Sequence, residues 1–142
     1  MQPATTAIIL IGYQNDYFAT DGILQGVLES PDRTRDVLNR TITMIDTLKD
    51  QPITMIATPI IFSSDYSEVT QAGGILAAIK DAKAFQEGHP GSATVDELAA
   101  FGDRILEIPG KRGLNAFAQT ALAATLESKQ IEDVIVAGAV TS

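Results

Sequence analysis

The chain of 142 residues contains no cysteine and no tryptophan, and His89 is its single histidine. The lack of cysteine excludes disulfide bonds and thiolate metal sites within these residues, and a single histidine disfavours a zinc site. Basic residues are also few, 10 against 18 acidic ones, and the formal net charge is −8. Nucleic acids and anionic membrane surfaces attract clusters of Lys and Arg, so we expect neither as a partner.

Long apolar runs are missing as well. No stretch of about 18 apolar residues could span a bilayer, and no basic segment precedes an apolar one as in a secretory signal. A hydrophobic content of 45% with 20% charged residues is ordinary for a globular α/β protein. We therefore expect a cytoplasmic protein with a single domain over residues 1–142.

Several common site motifs are absent too. The chain has no Gly-x-Ser-x-Gly elbow, no Gly-x-Gly-x-x-Gly after its first apolar run and no Gly-Lys-Ser/Thr loop. These absences disfavour an α/β-hydrolase serine site, a dinucleotide site and a P-loop. His89, in Gly-His-Pro-Gly, is predicted to be a turn residue because no nucleophile or orienting acid has motif spacing to it.

The chain does contain a regular alternation of strand and helix patterns. Continuous apolar runs predict strands, and apolar residues at three-and-four spacing predict helices. The predicted strands are 6–11, 53–62 (bent or broken at Pro59), 104–108 and 133–137. The predicted helices are 31–49, 75–85, a short one capped by Thr94 and Glu97, and 114–128. This alternation predicts an α/β fold in which helices cover both faces of a parallel sheet.

The last predicted strand is apolar on both faces, and Gly138-Ala139-Val140-Thr141-Ser142 follows it. Such a strand belongs inside a parallel sheet, because at an edge it would leave an exposed apolar border that native proteins avoid. We therefore expect that sequence is missing after Ser142 or that a partner covers this edge.

Three segments follow the C-terminal ends of predicted parallel strands, where open α/β sheets place their ligands. They are residues 12–16, Lys111 and residues 138–142. On local pattern alone, Lys111 would be a solvated turn residue and Asp16 a helix cap or Asx-turn residue. Their shared position favours a small-molecule site instead.

The same segments resemble the isochorismatase-like cysteine hydrolases, which include isochorismatases, nicotinamidases and N-carbamoylsarcosine amidases. AIILIGYQNDYF at 7–18 is similar to the family's first strand and Asp-x-Gln motif, and GSATVDEL at 91–98 to its middle segment. KRGLNAFAQTAL at 111–122 is similar to the lysine segment, and VIVAGAVT at 134–141 to the approach to the nucleophile. The resemblance implies a three-layer α/β/α fold with a mainly parallel Rossmann-like sheet. About four strands lie in this chain, which would then be incomplete at its C-terminus.

The resemblance also implies a mechanism with three groups: a cysteine nucleophile, an aspartate that moves a proton and a lysine that orients or polarises them. The family lysine falls at Lys111, the family aspartate at Gly12, and the cysteine just beyond Ser142. Asp16 is one candidate substitute for the acid, although it lies a turn further on. Ser142 is a weaker candidate nucleophile, because a residue at a chain end is rarely held in place.

Further site features follow from the same resemblance. An oxyanion hole is implied at a non-proline cis peptide near Ala139 and Val140, with the Val140 amide as one donor. The metal site of nicotinamidases uses an aspartate and histidines after the second strand, whereas residues 62–67 offer one carboxylate and no histidine. We therefore expect no metal. The resemblance also implies no cofactor, a small-molecule substrate or ligand, and a homo-oligomer, either a dimer or a tetramer. The pocket residues implied are Gln14, Asp16, Phe18, Phe62, Phe117, Gly138 and Thr141.

Three functional hypotheses follow. The first is a metal-free isochorismatase-like hydrolase of a small amide or vinyl ether, inactive as this chain because two of its three catalytic groups are missing. The second is a non-catalytic binding or assembly protein on the same fold. The third is an unrelated flavodoxin-like or Rossmann-like binding domain. The strand order tests the third hypothesis, because the resemblance implies that the first strand lies between the second and the last.

Overall fold

The computed structural model describes residues 1–26, 31–70 and 73–138, and this part of the chain contains four strands and five α-helices. The strands are β1 (Thr6–Ile11), β2 (Thr54–Thr58), β3 (Leu106–Glu107) and β4 (Asp133–Gly138). The helices are α1 (Asn15–Phe18), α2 (Pro31–Leu48), α3 (Ile75–Ala82), α4 (Asp96–Ala99) and α5 (Leu122–Ser128). Short 3-10 helices lie at Pro3–Thr5, Pro90–Ser92 and Gly102–Arg104.

The strands form one parallel sheet in the order β3-β2-β1-β4. Ile8 lies opposite Met55 of β2 on one side and Ile135 of β4 on the other. The predicted α/β fold with a parallel sheet is confirmed. β1 lies between β2 and β4, which is the strand order that the resemblance implied.

Alternate residues of β1 enter two separate cores, because successive side chains of a strand point to opposite faces. Ile8 and Leu10 belong to a cluster that includes Leu38 and Ile45 of α2. Ala7 and Ile9 belong to a second cluster that contains Leu122 of α5. β1 is therefore buried on both faces, and the sheet forms the middle of three layers.

The second and third strands are shorter than predicted. β2 ends at Thr58 because Pro59 has no N–H to donate to a neighbouring strand. Beyond it, Ile60 and Phe62 make isolated bridges to Lys111 and Gln86. β3 is reduced to two residues at the edge of the sheet.

The helix predicted over 114–128 begins at Leu122, so its first half is wrong. Polar side chains in this segment bond to nearby backbone groups and compete with helical bonds. The Phe117 amide donates to Asn115 Oδ1 at 2.9 Å, and the Thr120 hydroxyl donates to the Ala116 carbonyl. Gln119 also has a φ of +58°, which an α-helix does not allow.

The predicted capping box at Thr94 is also absent. Val95 is the N-cap residue of α4, and it makes no side-chain capping bond. The Thr94 hydroxyl donates to Glu107 Oε2 at 3.0 Å instead. This bond ties the segment before α4 to the edge strand β3.

β4 is less buried than its sequence predicts. Within the described sheet it pairs with β1 alone, and its residues alternate between partly buried and exposed. Ile135 and Ala137 pack against the α2 side, whereas Val134 and Val136 are 48% and 65% exposed on the other. No helix in the described part of the chain is long and apolar enough to span a membrane.

Candidate active site

The C-terminal ends of three strands bring the predicted site segments together. Ile11, just before Gly12, lies opposite Thr58 of β2 and Gly138 of β4. Two residues after Thr58, Ile60 forms a bridge to Lys111, and the Ile61 amide donates to the Lys111 carbonyl at 3.1 Å. Gly12, Lys111 and Gly138 therefore lie at the same end of the sheet, as the positions of the strands predicted.

Gly12 turns the chain at this end with a φ of +77°, a conformation that glycine adopts without steric cost. A Cβ placed on Gly12 would meet the ring of Tyr17 at 3.6 Å, an ordinary van der Waals distance. An aspartate at position 12 would therefore have space for its side chain but a strained backbone. The native glycine supplies no group that could carry a proton.

Tyr17 lies beside Gly12 and was not among the predicted pocket residues. Its side chain is buried and lies edge-on to Phe85 with 4.8 Å between ring centroids. Burial raises the pKa of its phenol above the ordinary value of 10.0. The signal available in the sequence was its place in the aromatic pair that follows the Gln14 motif.

Lys111 is buried, with 5% of its surface exposed, and is not the solvated turn residue that local pattern suggests. Among the described residues, no carboxylate lies within ion-pair distance of its amine and no acceptor forms a hydrogen bond with it. Burial lowers the pKa of this amine from 10.5 to about 8. The charged form of Lys111 is therefore less favoured than that of a solvated lysine.

Gln14 is buried in a set of three short hydrogen bonds. Its Nε2 donates to the carbonyls of Ile60 at 2.8 Å and Ser92 at 2.7 Å. Its Oε1 accepts the Ile60 amide at 2.9 Å. The side chain thus bonds to Ile60 as a neighbouring strand would, and it fixes the segment whose next amide holds the backbone of Lys111.

The Asp16 side chain, like that of Gln14, is held by a hydrogen bond to the backbone. Its Oδ2 accepts the Phe85 amide at 2.6 Å. The carboxylate packs so closely on Gly91 that a Cβ at that position would collide with it. The Asp16 carbonyl also accepts the Leu24 amide at 3.0 Å. Asp16 therefore joins α1 to the loops at Phe85 and Gly91.

The three predicted pocket phenylalanines occupy different environments. Phe18 is buried and stacks on Tyr13 with 5.1 Å between ring centroids. Phe62 is fully buried and packs against Tyr66. Phe117, in contrast, is 55% exposed. Phe18 and Phe62 therefore contribute to the core beneath the site, and Phe117 lies on the surface.

Two further groups lie at the strand ends. Thr58 is buried, and its hydroxyl has no hydrogen-bond partner in the described part of the chain, a feature that the sequence did not signal. Gly138 allows close contact with β1, since a Cβ there would lie 3.0 Å from the Ile11 carbonyl. The predicted oxyanion residues Ala139 and Val140, together with Thr141 and Ser142, lie outside the described residues.

The family of this chain follows from a family model that matches most of it. The isochorismatase domain model matches residues 6–142. The chain belongs to the isochorismatase family. No curated protein sequence matches it.

Solved structures of isochorismatase-like proteins share the fold at low sequence identity. A cysteine hydrolase from Pseudomonas syringae pv. phaseolicola superposes with a TM-score of 0.72 at 18% identity, over 99% of this chain and 62% of that one. An N-carbamoylsarcosine amidase from Thermoplasma acidophilum gives 0.71 at 17% identity, over 97% and 68%. A pyrazinamidase of Pyrococcus horikoshii in complex with zinc gives 0.70 at 17% identity, over 96% and 72%. This isochorismatase-family chain thus spans less than two thirds of the first of these proteins.

The loop after β2 does not fit the aspartate-and-histidine metal site of the nicotinamidase pattern. Asp65 accepts hydrogen bonds from the Ser63 hydroxyl at 2.8 Å and the Ser67 amide at 3.1 Å, which hold its pKa below the ordinary value. Glu68 pairs with the Arg112 guanidinium at 3.0 Å. Across residues 1–26, 31–70 and 73–138, no group of three or more His, Cys, Asp or Glu side chains could hold a metal ion.

Proposed function

We propose that this chain carries a metal-free isochorismatase-like site that binds a small amide or vinyl ether at Lys111 without hydrolysing it. The observation that carries the proposal is that the lysine at the family lysine position, Lys111, is buried, whereas the family aspartate position is occupied by Gly12. Lys111 supplies a donor for a carbonyl or carboxylate oxygen. Gly12 supplies nothing that could move a proton, and the chain contains no cysteine nucleophile.

The geometry supports binding because a buried donor without a partner favours a ligand that offers an acceptor. The Lys111 side chain is buried, and its amine has no partner among the described residues. Asp16 does not replace the missing acid in this proposal, because its carboxylate already accepts the Phe85 amide. A hydrolase reaction by the family route would need both a general base and a nucleophile that this sequence does not contain.

The first experiment measures binding and hydrolysis with two probes, benzamide and 2-methoxyacrylate, on the 142-residue chain. We expect binding of both, no hydrolysis of either, and a loss of affinity for 2-methoxyacrylate of about tenfold or more in Lys111→Met. Equal binding by Lys111→Met and the unaltered chain would exclude Lys111 from the site. Hydrolysis that depends on Lys111 would contradict the absence of turnover.

A second experiment adds a side chain at Gly12, where the structure leaves space beside the Tyr17 ring. Gly12→Asp introduces a carboxylate near the strand end, and Gly12→Ala is the matched control because it has the same backbone strain without the acid. We expect Gly12→Asp, and not Gly12→Ala, to weaken binding of 2-methoxyacrylate by competing for the lysine. In a longer form of the protein that carries the family cysteine, we expect Gly12→Asp to raise turnover.

Homo-oligomerisation is a further part of the proposal. Val134 and Val136 are exposed and give β4 an apolar face. Within the described sheet β4 pairs with β1 alone, so its other edge is unpaired. Sedimentation velocity of the chain and of Val136→Lys tests it. We expect a dimer or tetramer that the substitution weakens, and a monomer in both samples would reject this part.

A further inference from the structure

A cavity of about 250 Å³ lies on the α2 side of the sheet. Its floor is one row across three strands, Leu10 of β1, Ala57 of β2 and Glu107 of β3, which are consecutive partners in the register. Leu98 of α4 and Ile105 contribute to its apolar wall. We call this space the Glu107 cavity. Gly12, Lys111 and Gly138 do not line it.

Small residues keep the Glu107 cavity open. Ala57 stands between the larger Leu10 and Glu107 in the floor, and Ala99 and Gly102 also line the cavity. Gly102 has a φ of +52°, so a larger residue would be strained there as well as filling the space. The volume is below the range of drug-sized pockets and suits a molecule of about one ring.

The residues that line the cavity carry negative charge only. Glu107 is the single ionisable residue among its lining residues, and its Oε2 accepts the Thr94 hydroxyl at 3.0 Å. No cation of the described residues lies within ion-pair distance of Glu107. The nearby Arg104 is occupied by backbone carbonyls, including that of Lys49 at 2.6 Å. The net charge of −8 adds to the negative potential.

We propose that the Glu107 cavity binds a small organic ammonium compound, with an apolar body over Leu10 and Ala57 and the ammonium group at Glu107. The apolar floor removes hydrocarbon from water, and the carboxylate selects the cation over a neutral or anionic compound of the same shape. This site is separate from the proposed function at Lys111, and either proposal can fail without the other.

The test compares three probes of one shape: benzylamine, benzyl alcohol and benzoate. Binding to the full chain is measured by saturation-transfer NMR and calorimetry. We expect the order benzylamine, benzyl alcohol, benzoate. Glu107→Gln should weaken benzylamine about three- to fivefold and leave benzyl alcohol unchanged, because an exposed ion pair contributes modestly. Asp103→Asn, which removes a neighbouring exposed acid outside the cavity lining, should leave both unchanged.

Cavity-filling variants locate the binding. Ala57→Leu from the floor and Ala99→Leu from the exposed face of α4 should each abolish binding of benzylamine and benzyl alcohol. If Ala57→Leu does not fold, Ala99→Leu alone provides the test. Ala99 lies at the surface, so we expect a larger side chain there to leave the fold intact. Unchanged benzylamine binding in Ala99→Leu, or equal affinity for benzylamine and benzoate, would overturn the proposal, as would the absence of benzylamine binding to the unaltered chain.

Discussion

Gln14 and Lys111 are two buried polar side chains at the same end of the sheet, and they differ in what they bond to. Gln14 is 1% exposed and makes three hydrogen bonds of 2.7–2.9 Å. Lys111 is 5% exposed, and its amine has no bonding partner in the described part of the chain. A satisfied buried group contributes to the framework, whereas an unsatisfied one costs stability and is typical of a functional site.

The two residues are also connected. Gln14 fixes Ile60, and the following amide, of Ile61, holds the Lys111 carbonyl. The framework residue therefore positions the backbone of the residue that we place in the site. Changing each in turn separates the cost of losing the Gln14 hydrogen bonds from the cost of burying an amine that finds no partner in residues 1–26, 31–70 and 73–138.

The largest expected effect is that of Gln14→Leu. The substitution leaves the amide and carbonyl of Ile60 and the carbonyl of Ser92 without partners in a buried region. We expect a loss of about 3–5 kcal/mol in the free energy of unfolding, measured by urea denaturation. Gln25→Leu is the matched control, since Gln25 donates a single bond, to the Tyr17 carbonyl, and should cost about 1 kcal/mol. If the two variants lost similar amounts of unfolding free energy, the three hydrogen bonds of Gln14 would contribute no more to stability than the single bond of Gln25.

Lys111→Met should act in the opposite direction. At pH 7 the folded protein holds a buried charge that methionine lacks, so we expect the variant to be more stable by up to about 3 kcal/mol. Because the folded pKa is lowered to about 8, the unfolded chain binds more protons between pH 8 and 10.5. The stability of the unaltered chain should therefore rise with pH across this window.

The advantage of Lys111→Met should consequently shrink as the pH approaches 10.5. Urea denaturation of both proteins at pH 7, 8, 9 and 10 measures this difference. Taking the difference between the two proteins cancels the titration of the buried tyrosines, whose raised pKa values affect both alike. Lys80→Met, at an exposed lysine of α3, is the control for removing a lysine charge from the surface. A constant difference would show that the Lys111 amine titrates normally.

The smallest effect is expected for Asp16→Ala. Its carboxylate accepts one backbone amide, that of Phe85, so we expect a loss of about 1–2 kcal/mol. Gly91→Ala should also destabilise the chain, because the added methyl group collides with this carboxylate. In the double variant the collision is relieved, and the combined loss should be smaller than the sum. Additive losses would contradict the close packing of Asp16 on Gly91.

The sequence was informative where structure follows from local pattern. The apolar run of β1 and the three-and-four spacing of α2 predicted those elements within a residue or so. The late start of α5 was not predicted, because its apolar spacing continues through a segment in which Asn115 and Thr120 bond to the backbone.

The site depends on contacts that no local pattern encodes. Gln14 reaches partners 46 and 78 residues away along the chain, so its framework role becomes evident in the folded structure alone. Lys111 follows Pro109-Gly110 and looks like an exposed turn residue, yet the bridge to Ile60 draws it into the interior. The predicted strands placed Lys111 at the ends of the strands, where the structure has it. The role that the resemblance to the isochorismatase family implies for Lys111 stays a prediction.

The central claim is that Lys111 is a buried lysine at the strand ends whose amine has no partner among the described residues. Its pKa tests this most directly. Reductive methylation with ¹³C-formaldehyde labels the lysines, and a pH titration by NMR, with Lys111→Met to assign the resonance, gives the value for this amine. We predict a pKa of about 8. A pKa at or above the ordinary 10.5 would contradict the account, because it would mean that the amine is solvated or paired with an acid.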